Sequence, residues 1–277
     1  MKTSLSVRIA EAPRDKTSLA VPAEQLMGAA VHAGFDALSV RASAVSVTSS
    51  VAEQRAFKNA LSAHGLQASM ITGNLALAQN NSAAPAMLRD IASHLDLAER
   101  LGARLVRVML HGQEDVTWAR RAADQAAERD ITLTQQCHWG SLAETVDDAV
   151  QLAEQVGRKN FGITFEPANL HACGSDHGAT ALARLMPHLK NVYFQNVTLD
   201  PASTTSFATR SRGAVGVRFV PLFSEVGLDL LGLHASLREF GYAGWFTLHQ
   251  PLLPEQSWDD ALADAAAFVR RTVTRER

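Results

Sequence analysis

The chain has 277 residues and only two cysteines, Cys137 and Cys173. Two cysteines do not make a disulfide framework, and no CxxC spacing suggests a zinc site. No apolar run is long enough to span a membrane, so no membrane partner is expected. The N-terminal stretch MKTSLSVRIAEAPRDK lacks the apolar core of a signal sequence, and a cytoplasmic location is the expectation. Charge of either sign is not in excess: the net charge is -2 and the pI near 6.5. Neither nucleic acid nor an anionic membrane surface is therefore an expected partner. What is present, 47% hydrophobic and 19% charged residues, is ordinary globular composition, and the length suits one α/β barrel or two small domains.

Short β-forming runs alternate with amphipathic stretches throughout. Leu5, Val7 and Ile9 alternate with polar residues as a first strand. Further strands are expected over 35–41, 66–72, 104–110, 131–136, 161–165, 191–195 and 245–249. Between them, helices are expected over 23–33, 51–64, 84–101, 116–129, from the Ser141/Glu144 capping box to Gly157, and over 180–188, 228–240 and 257–272. Eight repeats with glycine at most helix ends and no hairpin signal mean parallel strands with crossover helices. The expected fold is α/β, a single (β/α)8 barrel over 1–277. The one long gap, 197–227, follows strand seven and carries Arg210, Arg212 and Arg218. A long loop on that face is expected to be a lid or binding loop, or else a surface insertion.

The most informative stretch is FGITFEPANL, 161–170. It reads as a buried strand ending on Glu166, stopped by Pro167, with Asn169 in the following loop. The tip of a parallel barrel strand is where such folds keep their chemistry. The plain alternative is a carboxylate that caps the next helix or pairs with a surface arginine. On strand five, Gln136 and His138 are two apart and face the same side, while Cys137 points away into packing. Arg41 and Arg107 could reach the mouth and bind a carboxylate or phosphate, or serve in salt bridges. Trp139 and Trp245 could line a sugar pocket or belong to core. His32, His64, His94, His188 and His234 read as solvated helix residues, and His111 as a residue near the mouth.

These segments resemble the xylose isomerase-like barrels, the sugar phosphate isomerase/epimerase family. GFDALSVR, ERLGARLVRV, FEPANL and LREFGYAGWFTLH are similar to the family's strand two, helix three with strand four, strand six and final helix with strand eight. The resemblance implies an isomerase of a small sugar, sugar phosphate or sugar acid working through an enediolate, with one divalent Mn²⁺ or Mg²⁺ held by Glu, Asp, His and Glu. Here those positions read Gln136, Glu166, Tyr193 and His249, with Gln195 at a substrate-facing lysine. Gln136, Glu166 and His249 are thus the candidate metal ligands, but one charge, a carbonyl and an imidazole make a weaker site than three carboxylates and an imidazole. Glu166, His249 and His138 are the expected acid–base groups. Gln136, Tyr193, Gln195, Asn169, Arg107, Arg41 and Arg218 are the expected substrate contacts. The expected ligand is small, polyhydroxylated and anionic, and a homo-oligomer is compatible with these features. Two other functions stay open: a lyase or decarboxylase of an oxo-sugar acid without the usual metal, and a catalytically silent sugar-binding barrel.

Overall fold

The computed structural model describes residues 1–12 and 15–272. Eight parallel strands close into a barrel: β1 (Lys2–Ser6), β2 (Ala37–Arg41), β3 (Gln67–Thr72), β4 (Leu105–Val108), β5 (Thr132–Gln136), β6 (Phe161–Phe165), β7 (Leu189–Phe194) and β8 (Trp245–Leu248). Each pairs with its sequence neighbour, and β8 closes on β1 with Lys2 opposite Trp245 and Leu5 opposite Leu248. Helices α1 (Ala23–Ala33), α2 (Val51–Ala63), α3 (Ala92–Leu101), α4 (Gln113–Ala127), α5 (Val146–Val156), α6 (Ala179–Leu185), α7 (Leu230–Glu239) and α8 (Trp258–Thr272) form the outer ring. This is a (β/α)8 barrel, the fold expected from the alternation. No helix among the described residues is long and apolar enough to cross a membrane.

Each helix buries one stripe. On α3 the buried residues His94, Leu97, Ala98 and Leu101 recur at the spacing of one helical face. His94 is therefore buried, bonded to Asn74 at 3.1 Å, and burial pulls its pKa down to about 4. His234 on α7 is likewise buried, edge-on to Phe246. Both correct the expectation of solvated histidines. Gly102 ends α3 in the left-handed region at φ 74, where a Cβ would be strained.

Several boundaries differ for local reasons. Strand β1 stops at Ser6, and Val7–Ala10 forms a 3₁₀ turn capped by the Ser6 side chain, so Val7 and Ile9 are not strand residues. The stretch 84–101 is two elements, a 3₁₀ turn over Ala84–Arg89 and then α3. Asn169 lies in a short helix, Pro167–Ala172, rather than in a loop. The cap of α5 is Thr145 with Asp148, which leaves Glu144 free for another task.

The gap after β7 also corrects the absence of hairpins. Val197–Leu199, Ser206–Thr209 and Gly213–Phe219 form a three-stranded antiparallel sheet. Its roots are tied down by Asn196, which accepts from Leu228 N at 2.7 Å and donates to Pro221 O at 3.0 Å. Gln250 bridges Asn196 N and Val220 O. A second hairpin, Glu11–Ala12 with Asp15–Leu19, follows β1 and packs against a short helix, Leu75–Gln79.

Candidate active site

The carboxylate of Glu166 sits just beyond β6 and is fully buried. Pro167 ends the strand because it has no N–H to continue the ladder, and this fixes Glu166 at the barrel mouth. Oε2 accepts hydrogen bonds from Asn169 Nδ2 at 2.9 Å and from Gln136 Nε2, and Oε1 accepts from Gln195 Nε2. Three amides, from the end of β5, the short helix after β6 and the residue after β7, thus hold one carboxylate. Burial raises its pKa to about 8, against the opposing pull of Arg107, Arg8, Lys16 and Arg41. The outer amide oxygens, Gln136 Oε1 and Gln195 Oε1, are buried without a partner. Buried polar atoms of this kind are normally hydrogen-bonded, so both are poised to accept from a bound hydroxyl.

Two imidazoles flank this group. His249 Nδ1 lies 2.8 Å from Ser6 Oγ. That hydroxyl also accepts the Arg8 amide; when it donates its own hydrogen to Nδ1, the ring hydrogen lies on Nε2. His138 Nδ1 meets the carbonyl of Trp139 at 2.8 Å and must donate there, which leaves Nε2 with a lone pair. Burial, reinforced by Arg107, Lys16 and, for His249, Arg41 and Arg8, keeps both rings neutral well below their ordinary pKa.

A cationic rim surrounds them. Arg41 is almost fully buried, with Nε on Glu11 Oε1 at 2.7 Å and one end on Ala78 O. Glu11 also accepts from Ser43 and lies 3.9 Å from Arg8. Arg107 is held by Leu77 O and Asn80 Oδ1. Lys16, on the first hairpin, is half-buried, and burial with the field of Arg8 and Arg41 pulls its pKa down to about 7.

The mouth therefore gathers Gln136, His138, Glu166, Asn169, Gln195, His249, Arg41 and Arg107. Tyr193 lies one step deeper on β7: its hydroxyl bonds Ser39 at 2.8 Å, and its ring stacks on His249 with centroids 4.1 Å apart. Arg218 does not join. Along Gly213–Phe219, Val217 packs inward on Ala172 and Phe207, so Arg218 faces out, more than half exposed and 3.1 Å from Asp200. Arg8, Glu11 and Lys16 escaped sequence reasoning, since continuing β1 to Ile9 hides the turn that brings them over the mouth. The signal for Glu11 and Lys16 was the charged, proline-containing segment EAPRDK, four residues after a barrel strand on the face that carries barrel chemistry; nothing comparable marked Arg8.

The antiparallel sheet covers the site. Trp139 stacks on Phe207 at 5.5 Å, and the Arg8 guanidinium lies 5.7 Å over Phe219. Trp245 lies at the opposite end of β8, under Lys2. Glu144 pins the far turn of the sheet, accepting from Gly140 N, Arg210 N, Ser211 N and Ser211 Oγ at 2.8–2.9 Å. Replacing Glu144 by Ala strips the acceptor from these donors. We expect the turn at 210–212 to become a site of rapid proteolytic cleavage while the barrel persists. Cleavage no faster than in the unaltered protein would show that Glu144 does not hold the sheet.

A family model described as a xylose isomerase-like TIM barrel matches residues 27–272. The chain belongs to this family. A curated relative, the inosose dehydratase of Geobacillus thermodenitrificans (strain NG80-2), is 24% identical over 164 residues, 55% of this chain and 51% of the relative. The chain thus matches about half the length of that relative. Among solved structures, a probable 3-DHS dehydratase from Bacillus anthracis has a TM-score of 0.69 at 16% identity, covering 97% of this chain and 99% of that one. A xylose isomerase-like TIM barrel protein from Mycobacterium smegmatis, solved in complex with magnesium, has a TM-score of 0.69 at 17% identity, covering 98% and 96%. At these identities the structures show a shared fold.

The donor set of this chain does not fit the divalent ion that the family implies. Among the described residues no three or more His, Cys, Asp or Glu side chains converge as a metal cluster. Glu166 is the one carboxylate at the candidate ligand positions, and both its oxygens already accept amide hydrogens. Tyr193 is committed to Ser39, and four cations, Arg8, Lys16, Arg41 and Arg107, bear on the same point. A hard dication prefers several anionic oxygens, and this rim repels it.

Proposed function

We propose that this chain is a metal-independent enzyme that moves a proton at the carbon next to a carbonyl in a small, polyhydroxylated, anionic substrate, isomerising it through an enediolate. The observation that carries this reading is the pairing of a buried carboxylate of raised pKa with imidazoles kept neutral. Such a carboxylate is a strong base once ionised, and its pKa lies near working pH. A neutral imidazole N–H can polarise a carbonyl without first giving up its proton to the base.

In this reading Glu166 takes the proton from the α-carbon, and the electron pair of the C–H bond becomes the enediolate double bond. His249 donates from Nε2 to the carbonyl oxygen as negative charge grows there, helped by the field of Arg107 and Arg41. Protonated Glu166 then returns the proton to the neighbouring carbon. His138, whose Nε2 lone pair is free, relays the hydroxyl proton between the two oxygens. Gln136, Gln195 and Asn169 orient the base. The barrel works as one unit, with the 197–227 segment as its lid.

Dehydration is the second reading. It shares the first proton abstraction, and a protonated Glu166 can instead deliver its proton to a departing β-hydroxyl. The names of the dehydratase relatives favour it. Incubation of the purified protein with aldonates, oxo-sugar acids and sugar phosphates in deuterated water separates the readings. Deuterium at the α-carbon of an isomer supports isomerisation, and an unsaturated product supports dehydration. No exchange with any of them, in the face of tight binding, would leave a sugar-binding barrel instead. Activity should be unchanged by EDTA, and Mn²⁺ or Mg²⁺ should not raise the melting temperature. Stoichiometric metal in the purified protein, removable with loss of activity, would refute metal independence.

A further inference from the structure

We infer that the first hairpin and the turn before it build a subsite for an anionic group, a carboxylate or a phosphoryl, seated among Arg8, Lys16 and Arg107. This inference rests on the proposed reaction site and names the handle by which its substrate is held.

Four cations, Arg8, Lys16, Arg41 and Arg107, act on the same volume, against two carboxylates, Glu11 and Glu166. Glu11 is spent on Arg41, at 2.7 Å, and lies 3.9 Å from Arg8. Glu166 is screened by its three amides. Lys16 and Arg107 have no carboxylate in salt-bridge range among the described residues. Unpaired buried cations are costly, and natural sites keep them where a ligand completes the pairing.

Two donors point to that ligand. Arg107, 1% exposed, has its Nε buried and without a partner although both terminal nitrogens are engaged. Arg8 Nε is in the same condition. The backbone explains why these groups converge. The Leu75–Asn80 turn holds Arg41 through Ala78 O and Arg107 through Leu77 O and Asn80 Oδ1. The Asp15–Leu19 strand, which carries Lys16, packs on the same helix. Arg8 is clamped between this hairpin and Phe219 of the lid.

Proximity of the cations also makes the subsite pH-sensitive. Lys16 faces Arg8, Arg41, Arg107, Glu11, Glu166, His138 and His249, and the Leu75–Gln79 helix packed on its strand carries no charged residue. With its pKa near 7, its charge fades as pH rises through neutrality, and anion affinity should fall with it.

Calorimetry and thermal shift on the full chain at low salt and pH 6.5 test this, with D-gluconate, D-glucose 6-phosphate, inorganic phosphate and neutral D-glucose as probes. The expected result is that at least one anionic sugar binds at least about tenfold tighter than glucose, as one to two charge-assisted hydrogen bonds imply. Lys16→Met and Arg8→Met should each bring that ratio down at least about fivefold. Lys16→Arg should keep the ratio at pH 6.5 and make its decline above pH 7 shallower, leaving the part that ionisation of Glu166 near 8 contributes. Arg184→Met, on the surface beside Asp147, serves as the control. Preference for the phosphate ester, with competition by inorganic phosphate, assigns a phosphoryl; preference for gluconate alone assigns a carboxylate. Either result upholds the subsite. Equal affinity for glucose and the anions, or an anion preference untouched by both methionine variants, overturns it. The reaction proposal fails separately, through turnover: absence of an anion preference in the unaltered protein, with Glu166-dependent turnover intact, rejects only the subsite.

Discussion

Glu166→Gln lowers turnover at least about 100-fold, because it removes the base at nearly constant side-chain volume; its NH2 cannot accept from Gln195 Nε2, so the Gln195 amide must turn to present its unpartnered Oε1. The unaltered enzyme should gain kcat as pH rises toward an inflection near 8, where Glu166 ionises, while the fading charge of Lys16 above pH 7 raises KM. The same substitution should stabilise the fold at alkaline pH. Between the ordinary carboxyl value of 4.5 and about 8 the folded chain keeps a proton on Glu166 that the unfolded chain has lost. The unfolded state then binds fewer protons, so stability falls as pH rises through this window. In Glu166→Gln that decline is absent. The buried neutral His138 and His249 work in the opposite sense: below pH 6.5 the unfolded chain takes up protons that the folded chain refuses, and stability falls as pH drops. That acid limb should persist in the variant. Full turnover by Glu166→Gln would remove Glu166 from the mechanism, and an unchanged alkaline limb would contradict its burial as a proton-holding group.

Glu11→Ala is expected to cost about 3–5 kcal/mol of stability, because it leaves Arg41 buried without its counter-ion. Arg41 and Glu11 are 1% and 3% exposed and 2.7 Å apart, so water cannot replace the lost partner without opening the mouth. Surface pairs such as Arg158–Asp124 set the contrast: breaking that one should cost less than about 1 kcal/mol. Glu11→Gln keeps a hydrogen-bond acceptor for Arg41 and Ser43 and should fall between the two. Chemical denaturation reads all three. A loss for Glu11→Ala no larger than for Asp124→Ala would mean that the N-terminal hairpin is not coupled to the barrel.

The periodicity of the sequence determined the barrel, since apolar stripes repeat eight times, with glycine stops at most helix ends, and only a closed parallel sheet buries them all. Position at a strand tip, read through Pro167, was enough to single out Glu166, and period-two alternation put Gln136 and His138 beside it. His94 was read as solvated, although its place on the apolar stripe of α3 buries it. Chain geometry off the regular elements was not legible. The 3₁₀ turn at Val7–Ala10 swings Arg8 and Glu11 over the mouth, and a strand-like pattern of alternating residues masks that turn. The insertion after β7 carries Arg218 outward because its own pairing, Val197 with Phe219 and Ser206 with Gly216, sets which face meets the barrel. The charge balance of the site was likewise a tertiary matter. The composition is nearly neutral, yet folding brings Arg8, Lys16, Arg41 and Arg107 from four separate segments around one carboxylate. Desolvation then turns an ordinary Glu into a base titrating near 8 and ordinary histidines into neutral donors and acceptors, and burial of that kind exists only once the barrel has closed.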